Sequence, residues 1–285
     1  MRSDVTEVLR YAAFTALPGG GNPAGVVLDA GDLDAAAMQA IAAEVNYSET
    51  AFLLPASDPR ERPVRYYSPL AEVPFCGHAT IAAAVAHAER HGPGRLVLHT
   101  RSGRVAVDTA PEDGLIVATL VSVAPRVENV TDADVDEALG ALGWTAEDLD
   151  PALPARVAFA GASHLVLAAA TRARLARLDY DFDRLGALMA ERDWTTVQLV
   201  HRTGQATFDA RNPFPPGGVY EDPATGAAAA AFGAYLAEVG AVEPPVRITI
   251  TQGVDMGRPS TLAVDVPAER GEGVRVSGSA VPIVA

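Results

Sequence analysis

The chain has 285 residues and a formal charge of −14, and all 22 of its basic residues are Arg because it contains no Lys. That absence excludes an internal Schiff base, and with it pyridoxal phosphate and lysine-based aldolase chemistry, as well as the phosphate-binding loop that ends in Lys-Ser or Lys-Thr. An acidic chain with no basic cluster also argues against nucleic acid, whose phosphates demand Lys and Arg on one face.

Hydrophobic residues at 49% and charged residues at 20% describe an ordinary folded chain, long enough for two lobes that each bury a core. Cys76 is the only cysteine, so no intrachain disulfide, CxxC pair or cysteine-rich zinc site can form. The opening MRSDVTEVLRYAAF lacks the basic start and apolar run of a secretory leader, and no window approaches the roughly 20 apolar residues of a membrane span. A reducing, cytoplasmic compartment without a membrane partner is expected.

Taken in chain order, the elements of the first half return in the second. The apolar strand and small-residue turn FTALPGGGNPAGVVL, from Phe14, is answered by FAGASHLVLAA from Phe159. The helically spaced LDAAAMQAIAAEV, from Leu33, is answered by FDRLGALMAERD from Phe182, and the short strands SETAFLL and TTVQLV follow them. RYYSP at 65–69 then leads through EVPFCGHAT to an Ala-rich helix ending at Gly92, as RNPFP at 211–215 leads through YEDPAT to one ending at Gly240. RLVLHTRSG and VRITITQG read as strands running into turns at Gly103 and Gly253. The offsets lie between 145 and 150, for example 225 − 80 = 145 for Thr80 and Thr225. Similar composition alone can imitate a repeat, but six elements in one order are harder to obtain by accident. Only TDADVDEALGALG, from Thr131, lacks a counterpart and reads as a capped helix at the junction, beside a boundary at Pro125.

The Ala-rich helices have no polar face, so strands must wrap them on most sides. The expected fold is therefore α+β, with two pseudo-symmetric lobes, each a curled, barrel-like, mostly antiparallel sheet around a central helix. The lobes are expected over residues 1–125 and 126–285, with a last strand at about 274–285 crossing back to the first lobe.

The loops before the central helices, GHAT at 77–80 and EDPATG at 221–226, would present unpaired N–H groups and partial positive charge. Facing lobes would bring both ends to one anion, most simply a substrate carboxylate. Gly77, Ala79 and Thr80 at one end, and Thr225, Gly226 and Ala227 at the other, are the candidate binding residues. For Thr80, Asp222 and Thr225 the alternative is ordinary capping. Glu49, at the start of the strand in NYSETAFLLP, could take and return a proton if apolar surroundings raise its pKa; otherwise it is a solvated flanking residue. His78 is a candidate proton partner, or a capping or packing group. In the repeat Glu49 corresponds to Thr195 or Thr196 and His78 to Pro223, so the chemistry is expected from the asymmetric positions. His87 and His91 are spaced to chelate a metal but read better as a solvated helix-end pair with no third ligand. GxSxG, GxGxxG and HExxH motifs are absent.

GNPAGVVL at 21–28, YSETAFL at 47–53, RYYSPLAEVPFCGHAT at 65–80, EDPATGAAAAAFGAYL at 221–236 and QGVDMGRPS at 252–260 together resemble the PhzF-like family, the phenazine-biosynthesis isomerases of the diaminopimelate epimerase-like fold. The resemblance implies two barrel-like lobes around central helices, a homodimer, and isomerisation without a cofactor or metal. It further implies that Glu49 moves the proton, with His78 beside Gly77 and Asp222 of the DPxTG motif as active-site partners. Relatives often carry Ser where this chain has Ala227. The related epimerases use two cysteines, so with Cys76 alone a two-thiol racemase is excluded. The expected activity is a proton shift, with its double bond, within a small unsaturated cyclic or amino carboxylic acid of secondary metabolism. An epimerase pairing Glu49 with Asp222, or a non-catalytic binder of small acids, is the alternative.

Overall fold

A computed structural model describes residues 6–283, so the first five residues of the opening segment and the last two of the expected final strand lie outside the described residues. The chain divides into two compact units, the first running to Leu120 and resuming at Ser277, the second spanning Val121–Val276.

The first unit contains β1 (Leu9–Ala13), β2 (Asn22–Val27), α1 (Ala35–Val45), β3 (Glu49–Leu53), β4 (Glu61–Tyr67), β5 (Glu72–Val73), α2 (Gly77–His91), β6 (Gly94–Thr100), β7 (Gly103–Glu112) and β8 (Leu115–Val121). In the second are β9 (Arg126–Asn129), α3 (Asp132–Leu142), β10 (Arg156–Phe159), β11 (Ser163–Ala168), α4 (Arg172–Ala176), α5 (Phe182–Arg192), β12 (Thr196–Arg202), β13 (Thr207–Phe214), β14 (Val219–Asp222), α6 (Gly226–Glu238), β15 (Val246–Gln252) and β16 (Ser260–Val266). The last strand, β17 (Arg275–Pro282), pairs with β1.

Strand pairing carries the duplication. In the first unit β1–β2 is antiparallel, β2–β3 parallel, β3–β4 antiparallel, β4–β6 parallel and β6–β7 antiparallel. In the second, β10–β11, β11–β12, β12–β13, β13–β15 and β15–β16 repeat that alternation in the same order. Parallel neighbours need a crossover, and here helices supply it: α1 and α2 in one unit, α5 and α6 in the other. β8 and β17 close the first sheet into an eight-stranded barrel.

α2 is sheathed by β1, β2, β3 and β7, and α6 by β9, β10, β11, β12 and β16. Ala at nearly every turn lets the strands approach. At Gly233 even a methyl group is too much, since a Cβ would lie 2.9 Å from Val264 Cγ1 and 3.1 Å from Val266 Cγ2. The outer helices cover the opposite sheet faces. α1 buries Met38 and Ala42 against Val27, Phe52 and Tyr67, while α3 and α5 bury Leu139, Leu142, Leu185 and Met189 against Leu165, Val197 and Leu199. Each fully buried large aliphatic side chain contributes about 1.5–3 kcal/mol.

Helix starts follow the local caps: Asp34 accepts from Ala37 N–H at α1, Thr131 from Asp134 N–H at α3 and Asp181 from Arg184 N–H at α5. No described helix is long and apolar enough to cross a membrane.

Candidate active site

β4 and β13 each carry an Arg whose guanidinium grips a Glu on the short strand that follows. Arg65 Nε and Nη2 bond the two Glu72 oxygens at 2.8 Å each, and Arg211 Nε bonds Glu221 Oε1 at 2.9 Å. The register makes these pairs equivalent, because Tyr66 faces Val73 in one unit as Asn212 faces Asp222 in the other. Between Arg211 and Glu221 the chain inserts a short 3₁₀ turn at Pro215–Gly217, so the offset grows from 211 − 65 = 146 to 221 − 72 = 149.

This corrects the match of Thr80 with Thr225 at an offset of 145. Cys76 occupies the N-cap position of α2 as Thr225 does that of α6, with the offset 225 − 76 = 149, so Thr225 corresponds to Cys76 rather than Thr80 and His78 to Ala227 rather than Pro223. The sheet register keeps Glu49 opposite Ala24 and Thr196 opposite His164 on the equivalent parallel strands, so Thr196 is the counterpart of Glu49.

In the first unit, four groups converge where β3 begins beside the N-terminus of α2. Glu49 Oε2 lies 3.4 Å from His78 Nε2 and accepts from the Cys76 thiol at 3.4 Å. Cys76 Sγ is 3.4 Å from His78 Nδ1 and 3.9 Å from Nε2, and Ser48 Oγ is 3.2 Å from His78 Nε2. The Glu49 side chain keeps 18% of its surface exposed and His78 keeps 8%, so the carboxylate is both enclosed and reachable. No side chain caps α2, which leaves the Gly77, His78 and Ala79 amides without intrahelical acceptors. The cluster therefore joins a carboxylate, an imidazole, a thiol and a partially positive helix end.

Thr80 departs from its expected binding role. Its side chain is fully buried, its hydroxyl joins Tyr66 Oη and Cys76 O at 2.6 Å each, and its N–H donates to Cys76 O at 3.0 Å. Burial raises the pKa of Tyr66 strongly, so the phenol stays protonated and anchors the turn. Thr80 holds the helix end from inside.

In the second unit, Thr225 Oγ1 donates to Asp222 Oδ2 at 2.5 Å, and Gln252 Nε2 donates to Asp222 O at 2.7 Å. Gln252 Oε1 accepts from Thr225 N–H at 3.3 Å. Gly226 and Ala227 open α6 and are partly exposed, and no side chain caps this helix either. Ser48 and Gln252 were not singled out in the sequence as site residues. They sit inside the YSETAFL and QGVDMGRPS motifs, which was the available signal.

The His87 and His91 rings lie tilted against each other with centroids 4.5 Å apart, and His87 Nε2 bonds Pro59 O at 2.9 Å. Burial, then the neighbouring His91, lowers the His87 pKa to about 4. Among the described residues the cluster of three metal-capable groups is Glu49, Cys76 and His78, and the His87 pair is not part of it.

A family model for phenazine biosynthesis-like proteins matches residues 11–285. The chain is 34% identical to the uncharacterized isomerase YddE of Escherichia coli, with 96% of this chain and 95% of the relative covered. It is 34% identical to trans-2,3-dihydro-3-hydroxyanthranilate isomerase of Pseudomonas chlororaphis, with 94% of each covered. The crystal structure of a Bacillus anthracis phenazine biosynthesis protein of the PhzF family superposes with a TM-score of 0.88 at 25% identity, over 97% of this chain and 96% of that one.

Proposed function

Because the chain belongs to the phenazine biosynthesis-like (PhzF) family and is an isomerase, we propose that it moves one proton, and with it a double bond, within a small unsaturated cyclic or amino carboxylic acid, Glu49 being the acid/base. The observation that carries this reading is the convergence of Glu49, His78 and the uncapped start of α2 in one partly open cluster. The relative from P. chlororaphis is named for trans-2,3-dihydro-3-hydroxyanthranilate, a dihydroaromatic amino acid of this class.

The chemistry follows from charge. Removal of a proton from carbon conjugated with a carboxyl group places negative charge on a dienolate that ends on the carboxylate oxygens. Amides of Gly77, His78 and Ala79, preorganised at the helix start, stabilise that charge as it develops. Glu49 takes the proton from one carbon and, on the same face, delivers it to another. The atoms balance without an electron acceptor, so the shift needs no redox cofactor. His78 steadies the carboxylate of Glu49 through Nε2 and is itself oriented by Ser48. Asp222, engaged by Thr225, is assigned to the second helix-end frame rather than to a second proton carrier. A place in secondary-metabolite biosynthesis and a homodimeric state accompany this reading.

The test is solvent-proton incorporation. Wild-type protein turning over trans-2,3-dihydro-3-hydroxyanthranilate in deuterium oxide is expected to place solvent deuterium on the product carbon, and Glu49→Gln is expected not to. A Glu49→Gln protein exchanging at the wild-type rate overturns the assignment.

A further inference from the structure

We infer that Glu49, Cys76 and His78 form a binding site for one thiophilic divalent cation of the Zn²⁺ type, which shuts off proton transfer while it is bound. The inhibitory part rests on the reading of Glu49 as proton carrier; the binding part rests on geometry alone.

Zinc binds thiolate sulfur at about 2.3 Å and imidazole nitrogen or carboxylate oxygen at about 2.0–2.2 Å in a tetrahedron, which makes the ligand-to-ligand edges about 3.3–3.6 Å. The three edges here are 3.4 Å for Cys76 Sγ to Glu49 Oε2, 3.4 Å for His78 Nε2 to Glu49 Oε2 and 3.9 Å for Cys76 Sγ to His78 Nε2. Two already match, and the third closes with a few tenths of an ångström of side-chain adjustment. The donor set of one thiolate, one imidazole and one carboxylate is soft enough to favour zinc-like ions over Mg²⁺ or Ca²⁺, which take oxygen. Ser48 Oγ already contacts the liganding imidazole nitrogen, so it must yield that contact to the ion.

Three protein ligands leave a fourth position open to water or a substrate carboxylate. A bound ion occupies the carboxylate oxygen that would accept the substrate proton. Inhibition is then reversible and competes with the chemistry rather than with folding. Because the thiol must lose its proton to bind, affinity rises with pH.

The probes are Co²⁺, which reports thiolate ligation through a charge-transfer band in the near ultraviolet, and Zn²⁺ followed by calorimetry, both on the metal-free full chain. The expected result is one Co²⁺ per chain with that band, displacement by Zn²⁺, at least tenfold weaker Zn²⁺ binding in Cys76→Ser, and turnover falling in proportion to site occupancy. Mg²⁺ is expected to leave both band and turnover unchanged. A wild-type protein that shows no charge-transfer band, or Cys76→Ser binding Zn²⁺ as tightly as wild type, overturns the metal site; the wild-type titration needs no variant to fold. A band at full occupancy with undiminished turnover overturns the inhibition and with it Glu49 as proton carrier, while metal ligation stands. Glu49→Gln that exchanges normally, with the Co²⁺ band intact in wild type, isolates failure of the functional reading from failure of the metal site.

Discussion

The same position on the same strand is a reachable carboxylate in one unit and a sealed hydroxyl in the other. Glu49 begins β3 with 18% of its side chain exposed, against Cys76 and His78. Thr196 begins β12 fully buried, donates to Asn212 Oδ1 at 2.8 Å, and sits 2.8 Å from His164 Nδ1; Asn212 in turn donates to Gln198 at 2.7 Å. Burial drives the His164 pKa down to about 3, so that imidazole stays neutral. One copy of the duplicated scaffold keeps a carboxylate partly open to solvent, and the other has turned its polar groups towards one another in the interior. That buried chain of hydrogen bonds specifies packing, although His164 Nε2 and Gln198 Nε2 at its ends find no partner of their own among the described residues.

The largest expected effect tests the open copy. Glu49→Gln should lower turnover by about 10²–10⁴-fold, the usual contribution of a general base, while urea unfolding stays within about 1 kcal/mol of wild type. A large stability loss with modest kinetic loss would place Glu49 with Thr196 as a packing group.

The duplicated ion pairs come next. Arg211 and Glu221 keep only 9% and 4% of their side chains exposed, against 28% and 12% for Arg65 and Glu72. Arg211→Met should cost about 3–5 kcal/mol, because it strands a buried carboxylate. Arg65→Met should cost about 1 kcal/mol, since Glu72 retains Arg101 at 3.0 Å and meets more water. Denaturant midpoints of the two variants measured side by side check the ordering.

Thr196→Val, which keeps the shape and removes the hydroxyl, should destabilise by about 1–3 kcal/mol through the partners it leaves unpaired. Its effect on turnover should stay small. Comparable kinetic losses in Thr196→Val and Glu49→Gln would erase the contrast between the units.

The remaining effect is set by pH. Both His164 and His87 have folded-state pKa values depressed by burial, to about 3 and about 4. Their neutral forms are favoured by the fold, so that stability is fully present above about 6.5 and is lost as pH falls below it. The slope approaches about 1.4 kcal/mol per pH unit for each of these two buried imidazoles between its folded and unfolded pKa values. Melting curves between pH 7 and 5 should therefore fall, and His164→Gln should flatten the decline.

Much of this fold is legible in the sequence, because the signals that build it are local. The Ala-rich helices, the caps at Thr131 and Asp181, and the branched strands before Gly103 and Gly253 lie in the chain where the elements form. So do the motifs that single out Glu49, His78 and Asp222. The short helix α4 is not legible there, since five residues carry too little periodicity.

Local sequence sets most of the elements, their order in two copies, and the residue types available for chemistry. Tertiary structure decided which of them meet. The 3₁₀ turn at Pro215–Gly217 shifts the second copy by three residues and pairs Cys76, not Thr80, with Thr225. Strand register brings Glu49 to Cys76 across 27 positions of chain, and burial turns Thr80 inward to Tyr66. Helix and strand formation depend on neighbours a few residues apart, whereas side-chain convergence depends on register and turn length, and a slip of one residue there changes every contact.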